Sequence, residues 1–214
     1  MRLILARHGE TDWNKQRRIQ GLSDLELNKT GRIQAEALAL ALKNERVEAI
    51  YSSPLRRARE TADAICRHHQ VDVVTLDGLR ELDAGEVDGL TYEEMGNQYG
   101  DFLDKWIEDC TSVGPPGGCT LQDVQDDVWA AVQEITRRQH QYATEGERNE
   151  RGVVIAVAHF FPILSIMCKV LELDLSECRR MRVDLGSICT LDFNPTRTVI
   201  VSLNDTCHLR RGSQ

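Results

Sequence analysis

The sequence predicts an α/β fold: a three-layer sandwich with a mostly parallel central sheet, helices on both faces and a small helical cap. Two observations carry this. Short apolar runs alternate with segments of helical periodicity along the chain. The run Val153-Val154-Ile155-Ala156-Val157-Ala158 is apolar throughout, the pattern of a strand covered on both sides in a parallel sheet. With 214 residues, one domain with a substantial core is expected over 1–214, carrying a helical cap inserted around 91–130.

The elements follow in order. Leu3 to Ala6 reads as a buried strand. Thr30-Gly31 opens a helix to about Lys43, with Thr30 as its cap and Ala and Leu recurring at helical spacing. Glu48 to Ser53 reads as a second strand stopped by Pro54, Leu55 to His69 as a helix, and Val71 to Leu76 as a third strand. Thr91 to about Asp109 is polar and helical, broken by Gly114-Pro115-Pro116-Gly117-Gly118. Leu121, Val124, Val128, Val132 and Ile135 trace one face of a long amphipathic helix, and Glu145 to Gly152 is a charged loop. After the strand Val153 to Ala158, Pro162 starts a helix to Leu173. Ser187 to Phe193 and Thr198 to Leu203, joined through Asn194-Pro195, close the chain as an antiparallel pair.

Composition narrows the function classes. Hydrophobic residues make up 41% and charged residues 28%, as in a soluble globular protein. A formal net charge of −8 argues against a nucleic acid or an anionic membrane as partner, since both reward a basic face. It leaves room for a small anionic substrate, because a few focused arginines can dominate one cleft. The seven cysteines are scattered without a Cys-x-x-Cys pair, too dispersed for a zinc site, and no cofactor is expected. A reducing, cytoplasmic setting fits them, and the apolar start Leu3-Ile4-Leu5-Ala6 is too short for a signal peptide.

Chemistry collects at three strand ends. The first strand runs into Arg7-His8-Gly9, the second into Ser52-Ser53-Pro54 and a helix opening Leu55-Arg56-Arg57-Ala58-Arg59, and the apolar run ends on His159. Ligands of open α/β sheets bind outside the carboxyl ends of strands, so two histidines and an arginine cluster there can share one crevice. The first turn of a helix is electrostatically wrong for three arginines unless an anion neutralises them, and phosphate suits the guanidinium fork. Cleaving a phosphate ester also needs an acid to protonate the leaving oxygen. Arg80-Glu81-Leu82-Asp83-Ala84-Gly85-Glu86 supplies carboxylates, among which Glu81, Asp83 and Glu86 compete on composition alone.

Arg7-His8-Gly9-Glu10-Thr11 with Trp13-Asn14 resembles the signature of the histidine phosphatase superfamily, in its phosphoglycerate mutase-like branch. The resemblance continues through Gln20-Gly21, Asp24, Leu27 and Gly31, then Ser52-Ser53-Pro54-Leu55-x-Arg57-Ala58-x-x-Thr61-Ala62. It extends to Glu81-Leu82, Gly85, Gly89-Leu90 and His159, and the ending Asn204-Asp205-Thr206 with His208-Leu209 is similar to endings among the family's phosphatases. The resemblance implies that His8 attacks phosphorus, that Arg7, Arg57 and His159 surround the phosphoryl group, and that Glu81 is the proton donor. It implies that Asn14, Gln20 and Gly21 line the substrate pocket and that no metal is required.

Where the family commonly has Gly-Gly or Gly-Asn after the second histidine, this chain has Phe160-Phe161. The Phe160 amide can still donate to phosphate, and its side chain either packs beneath the loop or, the favoured reading, narrows the pocket as an apolar wall. The 78 residues between Glu81 and His159 resemble the shorter, phosphatase form rather than a cofactor-dependent mutase. The chain is thus expected to be a metal-independent phosphatase of small phosphomonoesters, similar to α-ribazole and broad-specificity phosphatases. Its partner is a small phosphorylated metabolite, with a homodimer left open. The alternatives are a phosphoglycerate mutase and a non-catalytic binder of phosphorylated ligands.

Overall fold

The computed structural model describes residues 1–145, 152–194 and 196–212. The charged loop expected at Glu145 to Gly152 lies almost wholly outside them, as does Pro195 of the final turn. Six strands form one sheet: β1 Arg2–Arg7, β2 Val47–Ser52, β3 Val73–Thr75, β4 Val153–Ala158, β5 Ile188–Phe193 and β6 Thr198–Asp205. Their order is β3-β2-β4-β1-β5-β6; the first four are parallel, and β5 and β6 add antiparallel on the β1 side.

Seven α-helices complete the described fold: α1 Asp12–Lys15, α2 Lys29–Leu42, α3 Arg56–Cys66, α4 Tyr92–Gln98, α5 Gly100–Glu108, α6 Leu121–Glu145 and α7 Phe160–Leu171. Alternation along β1 sorts them into layers. Ile4 and Ala6 join Ile155 and Val157 of β4 under α2 and α3, through Leu38, Leu42, Ala62 and Ile65. Leu3 and Leu5 join Val154 and Ala156 on the opposite face, under α6 and α7, through Val128, Ile135, Ile163 and Met167. At about 1.5–3 kcal/mol per fully buried large aliphatic side chain, this two-sided burial holds β1 and β4 at the centre. Their carboxyl ends, where Arg7-His8 and His159 follow, are correspondingly fixed.

Several boundaries differ from expectation. Helix α2 starts earlier because Asn28 is the cap, its side chain accepting from Gly31 N at 2.9 Å; Thr30 is already helical. Helix α7 starts at Phe160, so Pro162 sits inside its first turn, where the missing N–H would have had no helical partner. The polar stretch after Thr91 is two helices, because Tyr99 leaves helical geometry at φ −133°, ψ 39°. The third strand shortens to three residues. No helix among the described residues is long and apolar enough to cross a membrane, and all seven cysteines are free.

Candidate active site

The strand ends deliver their side chains into one buried cluster. The chain continues straight off β1 and β4, with His8 N donating to Ala158 O at 3.1 Å. Gly9 N is anchored across to α3 by the Thr61 hydroxyl at 3.2 Å. His8 and His159 are 2% and 0% exposed, and their rings lie 5.0 Å apart, tilted by 57°.

Hydrogen bonding sets the state of each ring. His8 Nδ1 is 2.7 Å from Gly9 O, so Nδ1 carries the proton and the Nε2 lone pair is left available. Burial, then the charges of Arg57 and Arg7, push the His8 pKa well below its ordinary 6.5. His159 accepts from Arg57 Nε at its Nδ1, 3.2 Å away, which places its proton on Nε2. That Nε2 is buried without a partner among the described residues, a donor left unsatisfied by the fold. Burial, then Arg57, likewise lowers the His159 pKa well below 6.5.

The two guanidiniums are fixed by backbone carbonyls. Arg57, fully buried, gives Nη1 to Ser23 O at 2.8 Å and Nη2 to Gly21 O at 2.7 Å, leaving one N–H of each nitrogen uncommitted. Arg7 gives Nη1 to Val183 O at 2.7 Å, and its buried Nε has no partner. Burial brings both pKa values down to about 10, so both remain charged at neutral pH. Of the arginines opening α3, only Arg57 turns inward. Arg56 pairs with Glu26 and Arg59 with Asp63 at the surface, so the cluster of three is not shared with the crevice.

Glu81 is the carboxylate at this cluster, and burial raises its pKa against the pull of the Leu82 N–H, Arg57 and Arg7. Its Oε2 accepts from Phe160 N at 3.0 Å, and its Oε1 from Phe161 N at 3.2 Å and Leu82 N at 2.9 Å. The Phe160 amide, which could have donated to phosphate, here donates to the Glu81 carboxylate. Neither Asp83 nor Glu86 competes for this place: Asp83 accepts from Gly85 N, and Glu86 is exposed and bonded to Tyr99.

A cleft of about 490 Å³ opens over the cluster, lined by Arg7, His8 and Glu81 on its floor. Asn14, Gln20, Gly21 and Phe160, the other expected pocket residues, all line it. Asn14 Oδ1 accepts from Thr11 N within the α1 capping box, and Gln20 Oε1 accepts from the Thr11 hydroxyl, leaving Gln20 Nε2 buried and unpartnered. Gly21 has no room for a side chain, since a Cβ would stand 2.7 Å from Ala84 N. Its contribution is the carbonyl that holds Arg57. The Phe160 ring carries the Arg7 guanidinium 5.0 Å from its centroid and packs edge-on against Phe161.

Several supports were not foreseen. Asp88 accepts from Gly21 N (2.8 Å) and from Ser23 N (3.0 Å), fixing the loop whose carbonyls hold Arg57. Asn204 clamps Asp184 at both its backbone N–H and its carboxylate, steadying the segment whose Val183 carbonyl holds Arg7. Only the ending around Asn204 had signalled itself, by motif. Arg17, Tyr92 and Leu185, also on the cleft wall, carried no signal at all.

A parallel-sheet fold whose strand ends gather two neutral imidazoles, two guanidiniums and a buried acid is the frame of a phosphoryl-transfer enzyme. The chain belongs to the histidine phosphatase superfamily (branch 1), whose pattern it matches over residues 3–206. It is 34% identical over 209 residues to phosphoserine phosphatase 1 of Hydrogenobacter thermophilus, covering 98% of this chain and 94% of that one. The structure of a mycobacterial glucosyl-3-phosphoglycerate phosphatase in complex with VO3 superposes with a TM-score of 0.84 at 29% identity, over 96% of this chain and 99% of the other. A phosphoserine phosphatase of Entamoeba histolytica bound to phosphoserine superposes with a TM-score of 0.83 at 27% identity, over 97% and 98%. By family and relatives the chain is a phosphatase, of the class that hydrolyses phosphomonoesters.

Proposed function

We propose that this protein hydrolyses small phosphomonoesters through a phosphohistidine on His8, without a metal. The observation that carries this reading is the state of His8: neutral, with Nδ1–H held by Gly9 O and Nε2 free to attack. In the first step the Nε2 lone pair forms the N–P bond while the ester O–P bond breaks. Arg7, Arg57 and the His159 Nε2–H stabilise the equatorial oxygens. Glu81, whose raised pKa favours its acid form, gives its proton to the leaving alkoxide. In the second step Glu81 takes a proton from water, whose oxygen attacks phosphorus; the N–P bond breaks, and phosphate and neutral His8 are restored.

Asn14, Gln20 and Gly21 then shape the phosphate end of the pocket, with the unpartnered Gln20 amide as a further donor, and Phe160 supplies an apolar wall. The chain is read as one domain over 1–214, with residues around 91–130 as a cap. Tyr92 at the start of α4 borders the cleft, and Arg18, also on the cleft, ties this segment to the turn after α1 through Gly89 O (2.7 Å) and Glu94 (2.9 Å). A cytoplasmic location fits the seven free thiols. Candidate substrates are phosphoserine and phosphorylated glycerates, after the relatives' names, beside α-ribazole phosphate and phosphosugars.

Phosphate release from a panel of these esters, set beside isomerisation of 3-phosphoglycerate with 2,3-bisphosphoglycerate present, tests the reading. Release without isomerisation is expected; robust isomerisation with little release would overturn it.

A further inference from the structure

The turn that leaves α1 is closed by Arg17 N donating to Asn14 O at 3.1 Å and Arg18 N to Trp13 O at 2.9 Å. This is the bond pair of a Schellman helix end, whose first residue beyond the cap adopts a left-handed backbone that glycine accepts without steric cost. Here that residue is Arg17, at φ 57°. Its side chain is exposed and lines the same cleft as His8 and Glu81. Its guanidinium has no hydrogen bond or ion pair with any described residue. The contrast with its neighbours is sharp: Arg18 is committed to Gly89 O and Glu94, and Arg182 to Asp184. In a chain of net charge −8, a free guanidinium on the cleft wall, on a backbone better suited to glycine, is unexplained by the fold.

We propose that Arg17 recognises a second anionic group, a carboxylate or a further phosphate, on the organic part of the phosphomonoester. The inference rests on the reading of the cleft as a phosphomonoester site. Arg7 is held on the floor by the Val183 carbonyl, and Arg57, buried behind it, by two carbonyls and His159; both serve the reacting phosphoryl group. Arg17 stands on the cleft wall with Ile19 and Tyr92, and its fork matches two oxygens of a carboxylate or phosphate. Arg17 is thus a specificity residue: it acts on the part of the substrate that does not react.

The test uses matched substrates that differ in the second anion: phosphoserine against phosphoethanolamine, and fructose 1,6-bisphosphate against fructose 6-phosphate. For Arg17→Gly, the ratio of kcat/KM within a pair should fall about tenfold or more, chiefly through KM, with Arg17→Lys intermediate. A loss in the first pair alone assigns a carboxylate, in the second alone a phosphate. Because glycine suits the left-handed position, the melting temperature of Arg17→Gly should equal or exceed that of the wild type, separating lost recognition from lost fold. Ratios unchanged in both pairs would overturn the proposal, while phosphate release by the wild type would leave the phosphatase reading standing. If the wild type released phosphate from none of the four, calorimetric binding of the same esters to wild type and Arg17→Gly would still decide the role of Arg17.

Discussion

The floor and the wall of the cleft are built on opposite principles. On the floor, Arg7, His8 and Glu81 are fixed by backbone groups; buried behind them, Arg57 is held by two backbone carbonyls and His159 by Arg57. On the wall, Arg17 and Tyr92 are exposed, and Arg17 is unpaired among the described residues. Preorganised dipoles stabilise a transition state because they need no rearrangement when charge develops, so the chemistry belongs on the floor. Selectivity needs only to favour one organic group over another, and loosely held wall residues can supply it.

This contrast breaks most severely if its nucleophile is dispensable. His8→Ala should lower kcat by at least about 10⁴-fold, measured by phosphate release, as for nucleophile removal in other covalent enzymes. Glu81→Gln should lower kcat by about 10²–10⁴-fold on alkyl phosphates and far less on p-nitrophenyl phosphate, whose leaving group needs no proton. An equal loss on both would deny Glu81 its role as acid. Asp88→Ala, which touches only the loop beneath Arg57, should lower kcat/KM by up to about 10²-fold through misplacement of that guanidinium. Phe160→Gly should instead re-rank a substrate panel by a few fold, with little change in kcat, if the ring is a wall rather than machinery.

The smallest effect is on stability. His8 and His159 stay neutral in the fold well below 6.5, while in the unfolded chain they take up protons as pH falls through 6.5. The unfolded state then binds more protons, so stability should drop on acidification by up to about 1.4 kcal/mol per pH unit for each histidine. The raised pKa of Glu81 works oppositely above 4.5, where the folded state keeps its proton longer. Thermal melts from pH 7 to 5 should therefore show a slope that flattens in His8→Gln.

The same division governs what could be read in the sequence. The strands and the two histidines were legible because the apolar runs of β1 and β4 end at Arg7-His8 and at His159, whereas Glu81 and Arg57 were singled out only through the family resemblance. The Asn28 cap and the early start of α7 were displaced by two residues because side-chain capping and first-turn proline tolerance act locally on the backbone. Asp88 and Arg17 were invisible: the first acts through a loop distant in sequence, the second through a backbone angle and an absence of partners. Arg57 could not be told from Arg56 and Arg59 by composition, since only the helix phase turns it inward.

The central claim is a covalent bond to one atom, and rapid quench with a ³²P-labelled ester tests it most directly. An acid-labile, alkali-stable label that maps to His8 and is absent from His8→Ala is expected. Label on another residue, or turnover by His8→Ala at the wild-type rate, would contradict it.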